Sequence, residues 1–160
     1  MSGLARFPPG QELEFHAADA PASTPVRLGR LLQGTMEGID AAKVSIDPPV
    51  RVDDFLPGIG PLRTPRAVGG ADLQQPVQFY GARSRYQAGF ITDVAATFPR
   101  DGLRGAFLVA MHCRDGDSGA VCCDLSGAVL GLYVGSLRGD RSIQVFCPIT
   151  AVLDALDCTL

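Results

Sequence analysis

Apolar and polar positions alternate in short bursts along the chain, and glycine, proline, aspartate or serine separates one burst from the next. The bursts are QELEF (11–15), VRLGRLL (26–32), AAKVSI (41–46), PVQFYG (76–81), AGFITDV (88–94), AFLVAMHC (106–113), GAVCCD (119–124), AVLGLYVG (128–135) and SIQVFCPI (142–149). Many short segments rich in Val, Ile, Phe and Tyr, with turn signals between them, predict an all-β barrel or sandwich. Only ITAVLDALDCTL at the C-terminus follows a helical period. Ile149, Val152, Leu153 and Leu156 share one face of it, and Thr150 is the expected N-cap. The stretch from Pro57 to Gln75 is rich in Gly and Pro and reads as a connection between two halves. The organisation expected is a first half over 1–60, a linker over 61–75, and a second half with the C-terminal helix over 76–160.

Composition narrows the function classes. With 160 residues, 46% of them hydrophobic, the chain can build a core. A net charge of -3 with no run of Lys or Arg points away from nucleic acid and anionic membranes as partners. No apolar run approaches the roughly 20 residues that span a bilayer. The N-terminal MSGLARFPPG has no apolar leader segment, so a cytoplasmic location is expected. Five cysteines, two of them adjacent at Cys122 and Cys123, read as reduced core thiols rather than a disulfide framework. No C-x₂-C or comparable ligand spacing occurs, so neither a metal nor a cofactor is expected.

The segment with the clearest chemistry is CRDGDSGAVCCD, Cys113 to Asp124. A nucleophilic serine needs an exposed Oγ on a rigid turn, backbone N–H groups aimed at the developing oxyanion, and a base. Gly-Asp-Ser-Gly supplies the first two: Ser118 as nucleophile, with the N–H groups of Gly116 and Ser118 as the donor pair. Asp117, buried beside the turn, would hold it through charge-assisted hydrogen bonds. The plainer alternative is an ordinary β-turn, because Asp-Gly and Ser-Gly are common turn pairs.

The wider chain resembles the trypsin-like (chymotrypsin-fold) serine peptidases of bacteria, over roughly residues 25–160. GDSGA at 116–120 resembles that family's nucleophile motif and follows an apolar strand. DLSGAVLGLYVG at 124–135 is similar to the hairpin whose second strand lines the substrate cleft, and VFCPITAVLDAL to the last strand running into the C-terminal helix. GIDAAKVSID at 38–47 resembles the segment carrying the triad aspartate. VQFYGARSRYQAGFITDV at 77–94 resembles the first hairpin of the second barrel, with its Gly-x-x-Ser. The resemblance implies a two-barrel all-β fold with Ser118 as nucleophile, Asp40 orienting the base, and Gly116 in the oxyanion site. It puts His112 at the floor of the primary specificity pocket. Leu132, Tyr133 and Val134 would form the cleft wall, with Gly135 or Ser136 controlling pocket access. The partner implied is a polypeptide substrate.

The chain departs from the family at the histidine, which should precede the aspartate. His112 lies after Asp40. His16 lies 24 residues before it, with only 15 residues ahead of it. QELEFHAAD aligns best as the strand that normally follows the catalytic histidine. Three functions follow from this: a minimal peptidase using His16, a peptidase whose histidine comes from another chain, and a catalytically inactive pseudopeptidase whose cleft is a binding module. A first barrel short of its initial strands would also expose an edge, around 11–15 or 26–32, to a second copy or a complementing chain. A lipase-type hydrolase is excluded, because its Gly-x-Ser-x-Gly elbow needs alternating helices that this sequence lacks.

Overall fold

Alternation of period two, broken by turns, folds into two β-structures of unequal size. The computed structural model describes residues 10–15, 26–48 and 50–159. Strands β1 (Glu12–Phe15), β2 (Val26–Thr35) and β3 (Ala41–Val44) form an antiparallel sheet in the order β1-β2-β3. A small hairpin follows, β4 (Phe55–Leu56) with β5 (Gly60–Pro61). Then come β6 (Pro76–Gly81), β7 (Arg85–Phe98), β8 (Leu103–Ala110), β9 (Val121–Asp124), β10 (Val129–Leu137) and β11 (Asp140–Pro148). These six close into an antiparallel barrel in the order β10-β11-β8-β7-β6-β9.

The barrel closes because its inward positions are apolar. Val77, Phe79, Ile91, Phe107, Val109, Leu130, Tyr133 and Phe146 are all buried in one cluster. Phe79 meets Tyr133 edge-on at 5.8 Å, and Phe107 stacks on Phe146 at 5.2 Å, within the range of favourable ring pairs. Strand β7 runs four residues past the expected end. Its pairing with β8 slips three times, between Ile91 and Asp93, Asp93 and Ala96, and Ala96 and Phe98. Such bulges add twist and let one long strand wrap a small barrel.

One polar side chain belongs to this core. Gln144 on β11 is fully buried. Its Nε2 donates to the carbonyls of Met111 (3.0 Å) and Arg141 (2.7 Å). Its Oε1 accepts from the hydroxyls of Tyr133 (3.0 Å) and Ser136 (2.8 Å). Every hydrogen-bonding atom of the amide therefore has a partner, which removes the main cost of burying it.

A second apolar cluster joins the two β-structures. Ile39, just before β3, packs with Leu103, Ala106, Val129, Val145, Cys147, Ile149, Val152 and Leu156. Gly38 clips the same segment to the barrel, donating to the carbonyl of Gly102 (3.0 Å) and accepting from the N–H of Arg104 (2.8 Å). Helix α1 (Ile149–Ala155) covers this cluster with Ile149 and Val152. The helix is shorter than expected, and its N-cap is Pro148, not Thr150, with no side-chain cap. It stops because Asp157 takes a left-handed φ of 47° and the N–H of Cys158 turns back to the carbonyl of Leu153 (2.9 Å), a C-terminal closure of the Schellman kind. Lys43 Nζ then donates to the carbonyls of Leu156 and Asp157, and Gln33 Nε2 to that of Ala155. The sheet thus satisfies carbonyls that the helix end leaves open.

Replacing Gln144 with Leu is expected to lower stability by about 3 kcal/mol, because it leaves buried groups at Tyr133 and Met111 without partners. Denaturant unfolding of the variant and of wild type measures the difference.

Candidate functional site

Ser118 sits on the turn between β8 and β9, exposed to solvent. The turn is rigid because of the residue before it. Asp117 has no solvent exposure, and its carboxylate points back into the protein. Its Oδ1 accepts from the N–H of Arg83 (2.7 Å) and of Ser84 (3.2 Å). Its Oδ2 accepts from the N–H of Arg114 (2.8 Å) and from the Ser84 hydroxyl. Burial alone would raise this carboxyl, but the bonds from Ser84, Arg114 and Arg83 outweigh it and hold it below the ordinary carboxylate value. One ionised side chain therefore ties the β6–β7 turn to the Ser118 turn.

The site leaves no room for a side chain at Gly81, the last residue of β6. A Cβ there would meet Phe79 at 2.7 Å and would also run into the Asp117 carboxylate. Gly116 has φ of 98°, a conformation costly for any other residue. Short backbone bonds complete the turn. The N–H of Asp117 donates to the carbonyl of Arg114, that of Ala120 to Asp117, and that of Gly119 to Tyr133 on β10. The N–H groups of Gly116 and Ser118 have no acceptor among the described residues, and neither does the Ser118 hydroxyl.

The thiols beside the turn are not competing nucleophiles. All five cysteines are free, and four are buried. Burial, reinforced by the nearby Asp117 charge, pushes the Cys113 thiol up to about 12. Burial also raises Cys123 to about 11 and holds Cys122 well above its usual value. A protonated thiol is a weak nucleophile.

Asp40 lies at the seam between the sheet and the barrel. Its N–H donates to Cys147 Sγ (3.4 Å) on β11. Cys147 pairs with Leu132 on β10, and Leu132 pairs with Val121 on β9, three residues after Ser118. At about 4.8 Å per strand, Cys147 and Val121 are roughly 10 Å apart across the barrel wall. Desolvation at the seam raises the Asp40 carboxyl above its ordinary value.

His112 is exposed on the segment leaving β8, directly after Met111, whose carbonyl Gln144 holds. Tyr133 is buried in the barrel core, its hydroxyl on Gln144 and within 3.3 Å of Ser136 Oγ. Val134 and Gly135 are half-buried on β10, where the pairing with β11 slips, and Ser136 is exposed. His16 lies outside the described residues. Arg83, Ser84 and Gln144 were not singled out from the sequence. The only signal for the first two was the Gly81-x-x-Ser84 spacing, which supplies both the space for Asp117 and its hydroxyl donor. Among the described residues no cluster of His, Cys, Asp or Glu could hold a metal ion, and no helix is long and apolar enough to cross a membrane.

A closed six-stranded antiparallel barrel, an acid-anchored serine turn between two of its strands and a final helix define the chymotrypsin-like fold of the serine proteases, and this chain has that fold. The chymotrypsin of Cellulomonas bogoriensis superposes with a TM-score of 0.65 at 19% identity, over 91% of this chain and 82% of that one. Protease A of Thermobifida fusca gives 0.64 at 20% identity, over 79% and 70%. A glutamic-acid-specific serine protease, described as using a novel histidine triad in substrate binding, gives 0.65 at 20% identity, over 81% and 71%. No family model and no curated protein matches the chain.

Two variants probe this site. Asp117→Asn presents an NH₂ group where N–H donors now point, and is expected to cost about 3 kcal/mol. Because the folded carboxyl is depressed, its contribution in wild type is complete above the unfolded value of about 3.9 and is lost as pH falls through the lower folded value. The Asn variant should therefore show a flatter acid limb in its stability–pH curve. Asp40→Asn should do the opposite. A carboxyl raised by desolvation opposes folding above its folded pKa, so the neutral amide is expected to raise Tm slightly at pH 7, with the difference vanishing in acid. Thermal melts across pH 3–7 measure both.

Proposed function

We propose that this chain is a serine endopeptidase-like protein in which Ser118 is the nucleophile, the N–H groups of Gly116 and Ser118 receive the oxyanion, and Asp40 orients a histidine base. The observation that carries this is the pair of unpartnered N–H groups beside an exposed serine, on a turn fixed by buried Asp117. In the proposed reaction the base takes the Oγ proton as Oγ bonds to the substrate carbonyl carbon. It returns that proton to the leaving amine as the C–N bond breaks. Water then releases the acyl group by the same route. His16 is the upstream candidate for that base. His112, exposed beside the turn, is assigned to substrate side-chain selection together with Val134 and Gly135. The histidines described for the glutamic-acid-specific neighbour support a histidine in that role.

A second reading is favoured by the bare Ser118 hydroxyl, which touches no base among the described residues. On that reading the cleft binds polypeptide without cleaving it. The three-stranded sheet also leaves the outer edges of β1 and β3 without a strand partner among the described residues, which supports pairing there with a second copy or a complementing chain.

A fluorophosphonate probe separates these readings, since it reacts with a serine activated by a base about 2.6–3.2 Å from Oγ. The chain alone is expected to label slowly, and not at all as Ser118→Ala. Rapid labelling abolished by both Ser118→Ala and His16→Ala would establish His16, Asp40 and Ser118 as a working triad. Labelling lost only in Ser118→Ala would assign the reactivity to the oxyanion donors without His16. Complete absence of labelling would favour the binding module.

A further inference from the structure

Arg83 lays its side chain beside Gly116, one of the two residues whose N–H groups are proposed as oxyanion donors. A Cβ built on Gly116 would lie 3.1 Å from Arg83 Cγ and 3.5 Å from its Nε, so the Arg83 side chain runs over the Gly116 α-carbon. Its position is tied to the turn, because the Arg83 N–H is held by the same Asp117 carboxylate that holds Arg114. Yet the guanidinium forms no ion pair or hydrogen bond among the described residues. Arg114 is exposed on the same turn, and so is Asp115. Asp117 keeps its charge, but four donors already occupy its oxygens and it makes no ion pair with Arg83. The local charges are Arg83 and Arg114 against Asp115 and Asp117, around two N–H donors and a hydroxyl.

We infer that Arg83, with the N–H groups of Gly116 and Ser118, forms a binding site for the free C-terminal carboxylate of a peptide. The carboxylate has two oxygens. One accepts from the N–H pair, and the other faces the guanidinium, whose planar donor array suits it. This chemistry fits the acyl-side product of peptide hydrolysis, and it equally fits a peptide that is only captured. The inference rests on the proposed use of Gly116 and Ser118 as oxyanion donors, but not on Ser118 being activated.

The test uses the full chain, ¹⁵N-labelled, titrated with acetyl-Ala-Ala-Ala bearing a free carboxylate and with its C-terminal carboxamide. The carboxylate form is expected to shift the Gly116 and Ser118 amide resonances, to weaken with added salt, and to bind at least about tenfold more tightly than the carboxamide. Arg83→Gln should abolish that preference, and Arg83→Lys should keep part of it. An amidated peptide with an internal Glu asks whether a side-chain carboxylate serves as well; equal binding by that peptide would overturn the C-terminal assignment. Equal binding of carboxylate and carboxamide, or an unchanged preference in Arg83→Gln, would overturn the site. Fluorophosphonate labelling of the same samples keeps the two ideas apart. Carboxylate capture without labelling sinks the peptidase reading alone, and labelling without carboxylate preference sinks this inference alone.

Discussion

The Asp117 carboxylate is the constraint on which the site depends. Two chain segments more than thirty residues apart, the turn at 83–84 and the turn at 114–118, share no other hydrogen bond to a fully buried charge. Burying an ion is costly unless its acceptor sites are filled, and here four donors fill them. The same four bonds aim the backbone. With the N–H groups of Arg83, Ser84 and Arg114 turned to Asp117, and those of Asp117, Gly119 and Ala120 taken by carbonyls, the N–H groups of Asp115, Gly116 and Ser118 are left without an acceptor among the described residues. The open N–H groups of the turn are what remains once everything around them is satisfied.

The seam between the sheet and the barrel is built from different physics. Ile39 gives it apolar contact, Gly38 gives it two backbone bonds, and Lys43 and Gln33 reach the open end of α1. These contacts fix Asp40 against Cys147 at a point where its carboxyl is partly stripped of water and has no hydrogen-bond donor among the described residues. Asp117 and Asp40 thus differ: the fold fills the acceptor sites of one, and the other stays exposed to water at the seam.

Much of the architecture was legible in the residues. The six barrel strands all fall on runs whose alternation marks them, and the GDSGA turn declares both its exposed serine and its buried acid. What the sequence hid is nonlocal. The short span of α1 depends on Asp157 adopting a left-handed conformation, which no helical period reveals. The reach of β7 depends on bulges set by its partner β8. Tyr133 read as a wall of the cleft from its place on β10. Its burial follows from Gln144, on the neighbouring strand, offering an acceptor that lets a phenol sit in the core. Arg83 was invisible as a site residue because its relation to Gly116 exists only once Asp117 has drawn the two turns together.

That last relation bears on why the turn carries an acid rather than a neutral hydrogen-bond acceptor. A negative side chain beside the proposed oxyanion donors would ordinarily oppose the charge they are proposed to receive. Asp117 escapes this because its charge is directed away from Ser118 and offset by donors on the far side. It holds the Arg83 backbone, and the Arg83 side chain lies across Gly116. The acid organises the turn, and the guanidinium beside Gly116 belongs to the residue whose backbone it holds. A neutral acceptor could make some of these bonds. It could not match four donors with two oxygens that donate nothing, so the Arg83 backbone, and with it the Arg83 guanidinium, would lose its fixed place over the turn.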